Sequence, residues 1–138
     1  MNTDELTFCL RLAGILHLGL ICAGLTMPRA VSLRQHLAPL PIFVRRLFWV
    51  YYTFIGLCLV GFGSLTFIFA PQLAAGGGLA RALCGFLALF WLLRLAVALF
   101  VLDVRPYLTS GRLRTGYHAT NIVFSLLPTV YAWAALRP

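Results

Sequence analysis

The chain has 138 residues, of which 62% are hydrophobic and 10% are charged, so it cannot cover a water-facing surface with polar groups. Its basic residues are eleven arginines without a lysine, against three acids, which gives a formal net charge of +8. Because the arginines lie between apolar runs rather than among polar and stacking residues on one face, nucleic-acid binding is excluded as an expected function. We predict a single all-α transmembrane domain over residues 1–138.

Four apolar runs are long enough to cross a bilayer core, which needs roughly 20 residues per helix. The runs are unbroken, unlike the alternating pattern of barrel strands. The predicted spans are about 6–27, 47–70, 80–102 and 117–136. Short connections join them, which predicts an integral-membrane four-helix bundle with short loops.

The connections differ in charge. The first, 28–46, is rich in arginine and is predicted to form a brief interfacial helix over 29–37 before its prolines end it. The second, 71–78, is predicted to be an uncharged turn, and the third, 103–116, is basic again. Since arginine is enriched in cytoplasmic loops, we expect both basic loops in the cytoplasm and both termini on the non-cytoplasmic side. Tyr131 and Trp133 are expected in the aromatic belt at the far surface.

Arg94 stands near the middle of the third span, where a charged side chain costs several kcal/mol and indicates a functional site. Three uncharged polar residues fall at about the same depth, given a rise of about 1.5 Å per residue, and form a predicted polar layer with it. These are Tyr52, Thr53 and Asn121. Because no carboxylate shares that depth, Arg94 favours an anionic or carbonyl-bearing ligand. The alternative is a structural role, in which the guanidinium snorkels to the headgroups or donates to backbone carbonyls.

The loop after the third span adds Asp103, Arg105 and His118 near the basic surface. Two functions are open for this cluster: an acid-base site using Asp103 and His118, and the retention of anionic lipid by the arginines, which we favour. The full set of predicted ligand-binding or lipid-binding residues is Arg94, Asn121, Tyr52, Thr53, Asp103, Arg105 and His118.

Small residues mark one face of the third span, opposite Arg94: Gly85, Ala88 and Ala96. Such residues permit close approach of another helix. We therefore predict that this face contacts a partner, either another transmembrane subunit or a second copy of the chain.

His17 lies at the centre of the first span. One interpretation is a neutral histidine that is hydrogen-bonded across helices. Haem held by two histidines is not expected, because His118 lies roughly 10 Å away in depth and His36 lies outside the core. Ala13, four residues before His17, resembles the pigment-binding feature of bacterial light-harvesting polypeptides. That resemblance implies that His17 ligates a tetrapyrrole and that the small side chain of Ala13 leaves room for it.

The sequence lacks the motifs of several kinds of catalytic and metal site. No CxxC is present among the four cysteines, so no metal site or redox pair is predicted. Segments of the form DxRPYLT and GYH, at 103–109 and 116–118, resemble those of small four-helix membrane proteins of bacteria. The resemblance implies a multi-pass protein of the bacterial inner membrane.

The favoured function is that of a non-catalytic accessory subunit of a membrane complex, which packs against partner helices and anionic lipids. The alternative is a membrane enzyme or binding protein for a lipid-soluble ligand, such as a quinone, a polyprenyl phosphate or a lipid phosphate. A pigment-binding subunit of a photosynthetic complex, using His17, is the third. No cofactor is required by the first reading, and bound lipid is expected.

Overall fold

A computed structural model describes residues 2–102 and 104–137, with Arg105 described by its backbone alone. Within these residues the chain forms helices joined by short turns. In chain order they are α1 (Thr3–Ala30), α2 (Leu33–Leu37), α3 (Ile42–Ile68), α4 (Ala70–Ala75), α5 (Gly78–Phe100) and α6 (Gly111–Leu136), with a 3₁₀ turn at Arg105–Tyr107 before α6.

Four of these helices, α1, α3, α5 and α6, are long and apolar enough to cross a membrane. This confirms the predicted all-α class and the number of candidate spans. Helix α6 begins at Gly111, several residues before the predicted apolar span, and the Ser110 hydroxyl accepts a hydrogen bond of 3.3 Å from the Leu113 amide. The helix exceeds its apolar run because backbone hydrogen bonds, rather than side-chain polarity, define its length.

The short helices refine the predicted connections. In the first connection, Ser32 adopts a left-handed conformation (φ 49°) that separates α1 from α2, so the predicted interfacial helix is confined to Leu33–Leu37. The predicted uncharged turn at 71–78 was wrong over its first half, which is the helix α4. Proline is tolerated in a first helical turn, and the alanines that follow Pro71 favour helix. The chain turns instead at Gly76 and Gly77, whose φ angles of 82° and 126° suit glycine.

The bundle has two distinct ends. We call the end that carries α2 and the 3₁₀ turn the basic end, because it holds the arginine-rich connections. The opposite end carries α4, the first turn of α1 and the last turn of α6, and we call it the turn end. There the Arg137 Nη2 donates a hydrogen bond of 3.1 Å to the Thr3 hydroxyl, which ties the last turn of the fold to the first.

The long helices pack as two pairs, α1 with α3 and α5 with α6. In the first pair the backbones approach closely at Gly14 and Gly63. A Cβ atom on Gly63 would lie 2.8 Å from the Cβ of His17, and one on Gly14 would lie 2.8 Å from the Cβ of Phe67. In lipid, where helix association depends on packing, such glycine contacts let two helices meet.

The two pairs share a buried core at the turn end and part towards the basic end. Helix α3, which is described throughout, buries Gly63 and Thr66 only, both near its turn end. Its aromatic contacts to α5 run from Phe62 to Phe86 and Phe90, at 6.1 and 5.4 Å between ring centroids. On α1 no residue beyond Leu20 is buried and on α6 none before Phe124, whereas on α5 burial extends to Ala98. We call the space between the pairs on the basic side of this core the cleft.

Substituting Gly63→Ala is expected to lower the free energy of unfolding by about 1–3 kcal/mol, because the added methyl group overpacks the α1–α3 contact. The control is Gly61→Ala on the same helix, where a Cβ would meet nothing within 4 Å. That change should be neutral or stabilise by up to about 1 kcal/mol through helix propensity. Unfolding in mixed detergent micelles, followed by circular dichroism, measures both. Equal losses in the two variants would contradict the proposed close contact.

Candidate functional site

His17 is fully buried at the centre of α1, and its neighbours define its tautomer. Its Nδ1 lies 2.7 Å from the carbonyl oxygen of Ala13, which can accept only, so Nδ1 carries the proton and donates. Its Nε2 then has a free lone pair, which accepts the indole N–H of Trp91 at 3.2 Å. Both ring nitrogens of a neutral His17 are therefore satisfied across the two helix pairs.

A second buried hydrogen bond lies beside the first. The hydroxyls of Thr66 and Tyr131 are 2.8 Å apart, and the Tyr131 ring meets the His17 ring edge-on at 6.1 Å between centroids. We call His17, Thr66, Trp91 and Tyr131 the four-helix polar cluster, since each long helix supplies one member. The placement of Tyr131 in a surface aromatic belt was wrong: its side chain is fully buried because Thr66 satisfies the hydroxyl inside the core.

Stacked groups connect this cluster to Arg94. Trp91 stacks on Phe124 of α6 with ring centroids 5.6 Å apart and an interplanar angle of 29°. The Cζ atom of Arg94 lies 5.0 Å from the centroid of the same Phe124 ring, in a cation–π arrangement. The guanidinium thus lies at the end of a series of ring contacts, in which His17 meets Trp91 edge-on and Trp91 stacks on Phe124.

Arg94 lies on the face of α5 that points towards the other helix pair. Trp91 and Ala98, one turn away on either side, are 2% and 7% exposed, so this face is the buried one. Arg94 is nevertheless exposed, although Ala98, one turn closer to the basic end, is buried again. Its guanidinium therefore lies at the surface of the bundle, over the Phe124 ring of α6, rather than inside the closed core.

The cation–π contact with Phe124 does not fully offset the free-energy cost of placing Arg94 in a membrane. An arginine deep in a bilayer costs about 2.5–3.5 kcal/mol on insertion scales. A desolvated cation–π contact returns about 2 kcal/mol. The remainder of about 1 kcal/mol is met either by a polar or anionic group at the guanidinium or by snorkelling of the side chain towards the headgroups, and both stay predictions.

The predicted polar layer is divided between the two helix pairs. Asn121 is half-buried and precedes Phe124 by three residues, so it lies on the same face of α6 as the ring that contacts Arg94. Tyr52 belongs to the other pair, where its hydroxyl donates to the Gly24 carbonyl of α1. Thr53 is exposed and its hydroxyl donates to the carbonyl of Trp49 on its own helix, at 2.9 Å. The layer therefore reduces to Arg94 and Asn121, with Tyr52 acting as a link between α1 and α3.

The predicted loop cluster is described in part. His118 is exposed near the start of α6, with its ring 5.6 Å from that of Tyr117. Asp103 and the side chain of Arg105 lie outside the described residues. The acid-base pairing of Asp103 with His118 stays a prediction.

The small-residue face of α5 is turned towards α6. A Cβ on Gly85 would lie 4.0 Å from the Cβ of Ala135, and Ala88 lines a groove of about 940 Å³ together with Ser125 and Ala132. Ala96 is half-buried on the same helix. The contact of Gly85, Ala88 and Ala96 with a partner stays a prediction, and Gly85 already has a neighbour within the chain.

The geometry at His17 does not offer a tetrapyrrole site in this conformation. The Nε2 atom that would ligate magnesium accepts the Trp91 N–H, and Gly63 of α3 lies so close that a Cβ there would be 2.8 Å from the His17 Cβ. A tetrapyrrole would have to displace Trp91 and break the hydrogen bond that joins the helix pairs. In the part of the chain that the structure describes, no group of three His, Cys, Asp or Glu side chains is placed to hold a metal ion.

No family model, curated protein or solved structure matches the chain. The resemblances drawn from short segments therefore stay predictions, and the function must be argued from the site. Three residues that build this site, Thr66, Trp91 and Phe124, were missed from the sequence. Trp91 could have been predicted as a neighbour of Arg94, since it lies three residues earlier on the same face of the helix.

The substitution Trp91→Phe is expected to lower the free energy of unfolding by about 1–3 kcal/mol, because the His17 Nε2 lone pair stays buried without a donor. Trp133→Phe is the matched control: Trp133 is 54% exposed, so that change should stay within about 0.5 kcal/mol. Thermal unfolding in detergent compares the two. If the lost hydrogen bond is the cause, adding His17→Leu to Trp91→Phe costs less than the sum of the single changes. Strict additivity would assign the loss to packing alone.

Proposed function

We propose that the chain is a non-catalytic, multi-pass membrane protein that binds an anionic amphiphile in the cleft, with Arg94 holding the headgroup. The single observation that supports this most is that Arg94 lies on the buried face of α5 and yet is itself exposed. A charge on that face is accessible from the cleft while its helix remains in lipid.

Charge and hydrogen bonding favour an anion as the ligand. Arginine offers five N–H donors in a planar fork that matches a phosphate or carboxylate. Asp4 and Glu5, the acids within the described residues, belong to the first turn of α1 at the turn end, so they do not neutralise Arg94. The side-chain amide of Asn121, on the same side of α6 as Phe124, supplies a further donor. A headgroup with two or more oxygens fits this pair of donors.

The same residues argue for binding rather than catalysis. A guanidinium stays protonated and an amide does not titrate, so neither Arg94 nor Asn121 serves as a general base. Phe124 adds a π face and no reactive atom. The hydrocarbon tail of the ligand lies against the apolar walls of the cleft, which α3 provides through the half-buried Leu59.

The orientation and location of the protein belong to the same proposal. The basic end lies in the cytoplasm and both termini lie on the other side, in the inner membrane of a bacterium. Seven arginines in the connections at the basic end support this orientation by the positive-inside rule. They are Arg29, Arg34, Arg45, Arg46, Arg105, Arg112 and Arg114.

A second candidate is the accessory subunit predicted from the sequence, whose partner would be another transmembrane helix. The observation that favours it is the exposed surface of α3, on which no residue before Gly63 is buried by the rest of the chain. Gly56 and Gly61 leave free space on this helix, since a Cβ on either would meet nothing within 4 Å. A partner helix packed there is consistent with a ligand in the cleft.

The Arg94→Gln variant is expected to lose affinity for long-chain anions by about tenfold or more, because a charge-assisted hydrogen bond is removed from a low-dielectric site. The probes are oleyl phosphate, oleate and the uncharged oleyl alcohol, each titrated against purified protein in neutral detergent and measured by native mass spectrometry. Wild-type protein should retain both anions and not the alcohol.

The control for this experiment is Arg81→Gln, which removes an exposed charge from the turn end of the same helix. It should leave the affinities within about twofold of wild type, as expected for a screened surface charge. Equal binding of oleyl phosphate by wild type and the Arg94 variant would refute the ligand proposal. Retention of an additional transmembrane protein after gentle extraction, without a bound anion, would favour the accessory subunit.

The proposed orientation predicts which loops are shielded in intact cells. A cysteine introduced by Leu40→Cys or Ser110→Cys should react with a membrane-impermeant maleimide only after the inner membrane is permeabilised, because both positions lie at the basic end. Wild-type protein, with its own four cysteines, serves as the background. Labelling of either position in cells with a sealed inner membrane would reverse the orientation.

A further inference from the structure

A pocket of about 400 Å³ lies at the basic end, between α2 and the first turns of α3. Its lining residues are Arg34, Leu37, Ala38, Arg45 and Trp49. These residues follow helical spacing on both sides, since 34, 37 and 38 share one face of α2 and 45 and 49 share one face of α3. Two helices therefore contribute one arginine each to the lining of the same cavity.

Local sequence features hold these helices in place. The left-handed Ser32 turns the chain after α1, so that α2 leaves the direction of the long helix. Pro41 precedes the first residue of α3 and separates it from α2. Leu37 is 6% exposed and anchors α2 to the body of the protein. The pocket is thus formed by a short anchored helix rather than by a loose loop.

The charge in the pocket calls for an anion. Two like charges that share one cavity repel each other unless an anion lies between them. Arg45 is half-buried, so its charge is screened less than that of an exposed arginine. Arginine pairs bind phosphate through parallel N–H donors, and a cavity of this size accommodates a phosphate with the glycerol attached to it.

The surroundings of the pocket indicate a lipid rather than a soluble anion. Trp49 lines the pocket, and tryptophan side chains favour the interface between headgroups and hydrocarbon. Ile42, three residues before Arg45 on the same side of α3, is 59% exposed, which places apolar surface beside the charged cavity. A ligand that reaches Arg34 and Arg45 from this surface carries both a charged and an apolar part.

We infer that this pocket binds the phosphate headgroup of an anionic membrane lipid, with Arg34 and Arg45 on the phosphate and Trp49 beside the glycerol. The site is separate from the cleft, because it is built by α2 and the start of α3, whereas Arg94 and Asn121 belong to α5 and α6. It holds a lipid at the surface of the bundle and needs no ligand at Arg94.

The test compares two variants that remove the same charge. Arg34→Gln with Arg45→Gln empties the pocket of its cations, and Arg46→Gln with Arg112→Gln removes two exposed arginines of the basic end that do not line it. Native mass spectrometry in neutral detergent follows titrations with dioleoyl phosphatidate, dioleoyl phosphatidylcholine and inorganic phosphate. Circular dichroism and elution as one species establish that each variant is folded.

Wild-type protein should bind phosphatidate in preference to phosphatidylcholine. In proteins that all carry Arg94→Gln, which removes the proposed cleft site, the pocket variant should bind phosphatidate about thirtyfold more weakly, as expected when two arginines are lost at an anionic headgroup, whereas the control variant should change by about twofold or less. Equal losses in both variants would overturn the inference, since the arginines would then act as diffuse surface charge. Binding of inorganic phosphate at Arg34 and Arg45 without binding of phosphatidate would also overturn it.

A second measurement does not depend on changing the arginines. In the Trp133→Phe protein, the remaining indoles are Trp49 in the pocket and Trp91, which is 2% exposed in the core. Phosphatidate brominated near the glycerol should quench the Trp49 emission at lower lipid fractions than phosphatidylcholine brominated at the same carbons. Identical quenching curves for the two lipids would contradict a selective headgroup site. The Arg94→Gln change should leave both curves unaltered, which separates this inference from the proposed function.

Discussion

The hydrogen bond from the Trp91 indole to His17 Nε2 is the interaction on which the rest of the bundle depends. In hydrocarbon no water satisfies a buried donor or acceptor, so each polar group has to find a partner within the protein. His17 and Trp91 belong to different helix pairs and satisfy each other at 3.2 Å. This contact, with the bond between Thr66 and Tyr131, fixes how the two pairs meet at the centre of the membrane-spanning region.

The geometry of that contact follows from small residues. Gly14 and Gly63 bring α1 and α3 so close that a Cβ on Gly63 would overlap the Cβ of His17. The imidazole is consequently held with one face against α3 and with Nε2 directed at α5. Packing and hydrogen bonding thus support one arrangement, because a shift of either helix would both open a void and leave a buried lone pair unsatisfied.

Closing the bundle at this level leaves its basic side open, and the arginines lie at that side. Arg94 is one turn beyond Trp91 and rests on Phe124, which in turn stacks on Trp91. Towards the basic end, the four-helix polar cluster is therefore followed by the Trp91–Phe124 stack and then by the exposed Arg94. Arg34 and Arg45 form a second cationic site, nearer to the surface, on helices that take no part in this stack. Both sites combine fixed charge with adjacent apolar surface, which is the combination that an anionic amphiphile matches.

Apolar run length determined the helical class and the four candidate spans, because a bilayer core requires a minimum length and internally satisfied backbone whatever the neighbours are. The sequence also singled out His17 and Arg94, since polar side chains in such runs are costly. It did not determine which residues satisfy them: Trp91 and Phe124 are ordinary apolar residues of their helices until α1, α5 and α6 pack together. Depth alone grouped Tyr52 and Thr53 with Arg94, whereas the tertiary structure assigns them to the other helix pair. The depth of a residue in the membrane follows from its position along the chain. Which residues it contacts depends on the rotation and crossing of the helices, and these depend on the glycines and side chains of all four helices at once.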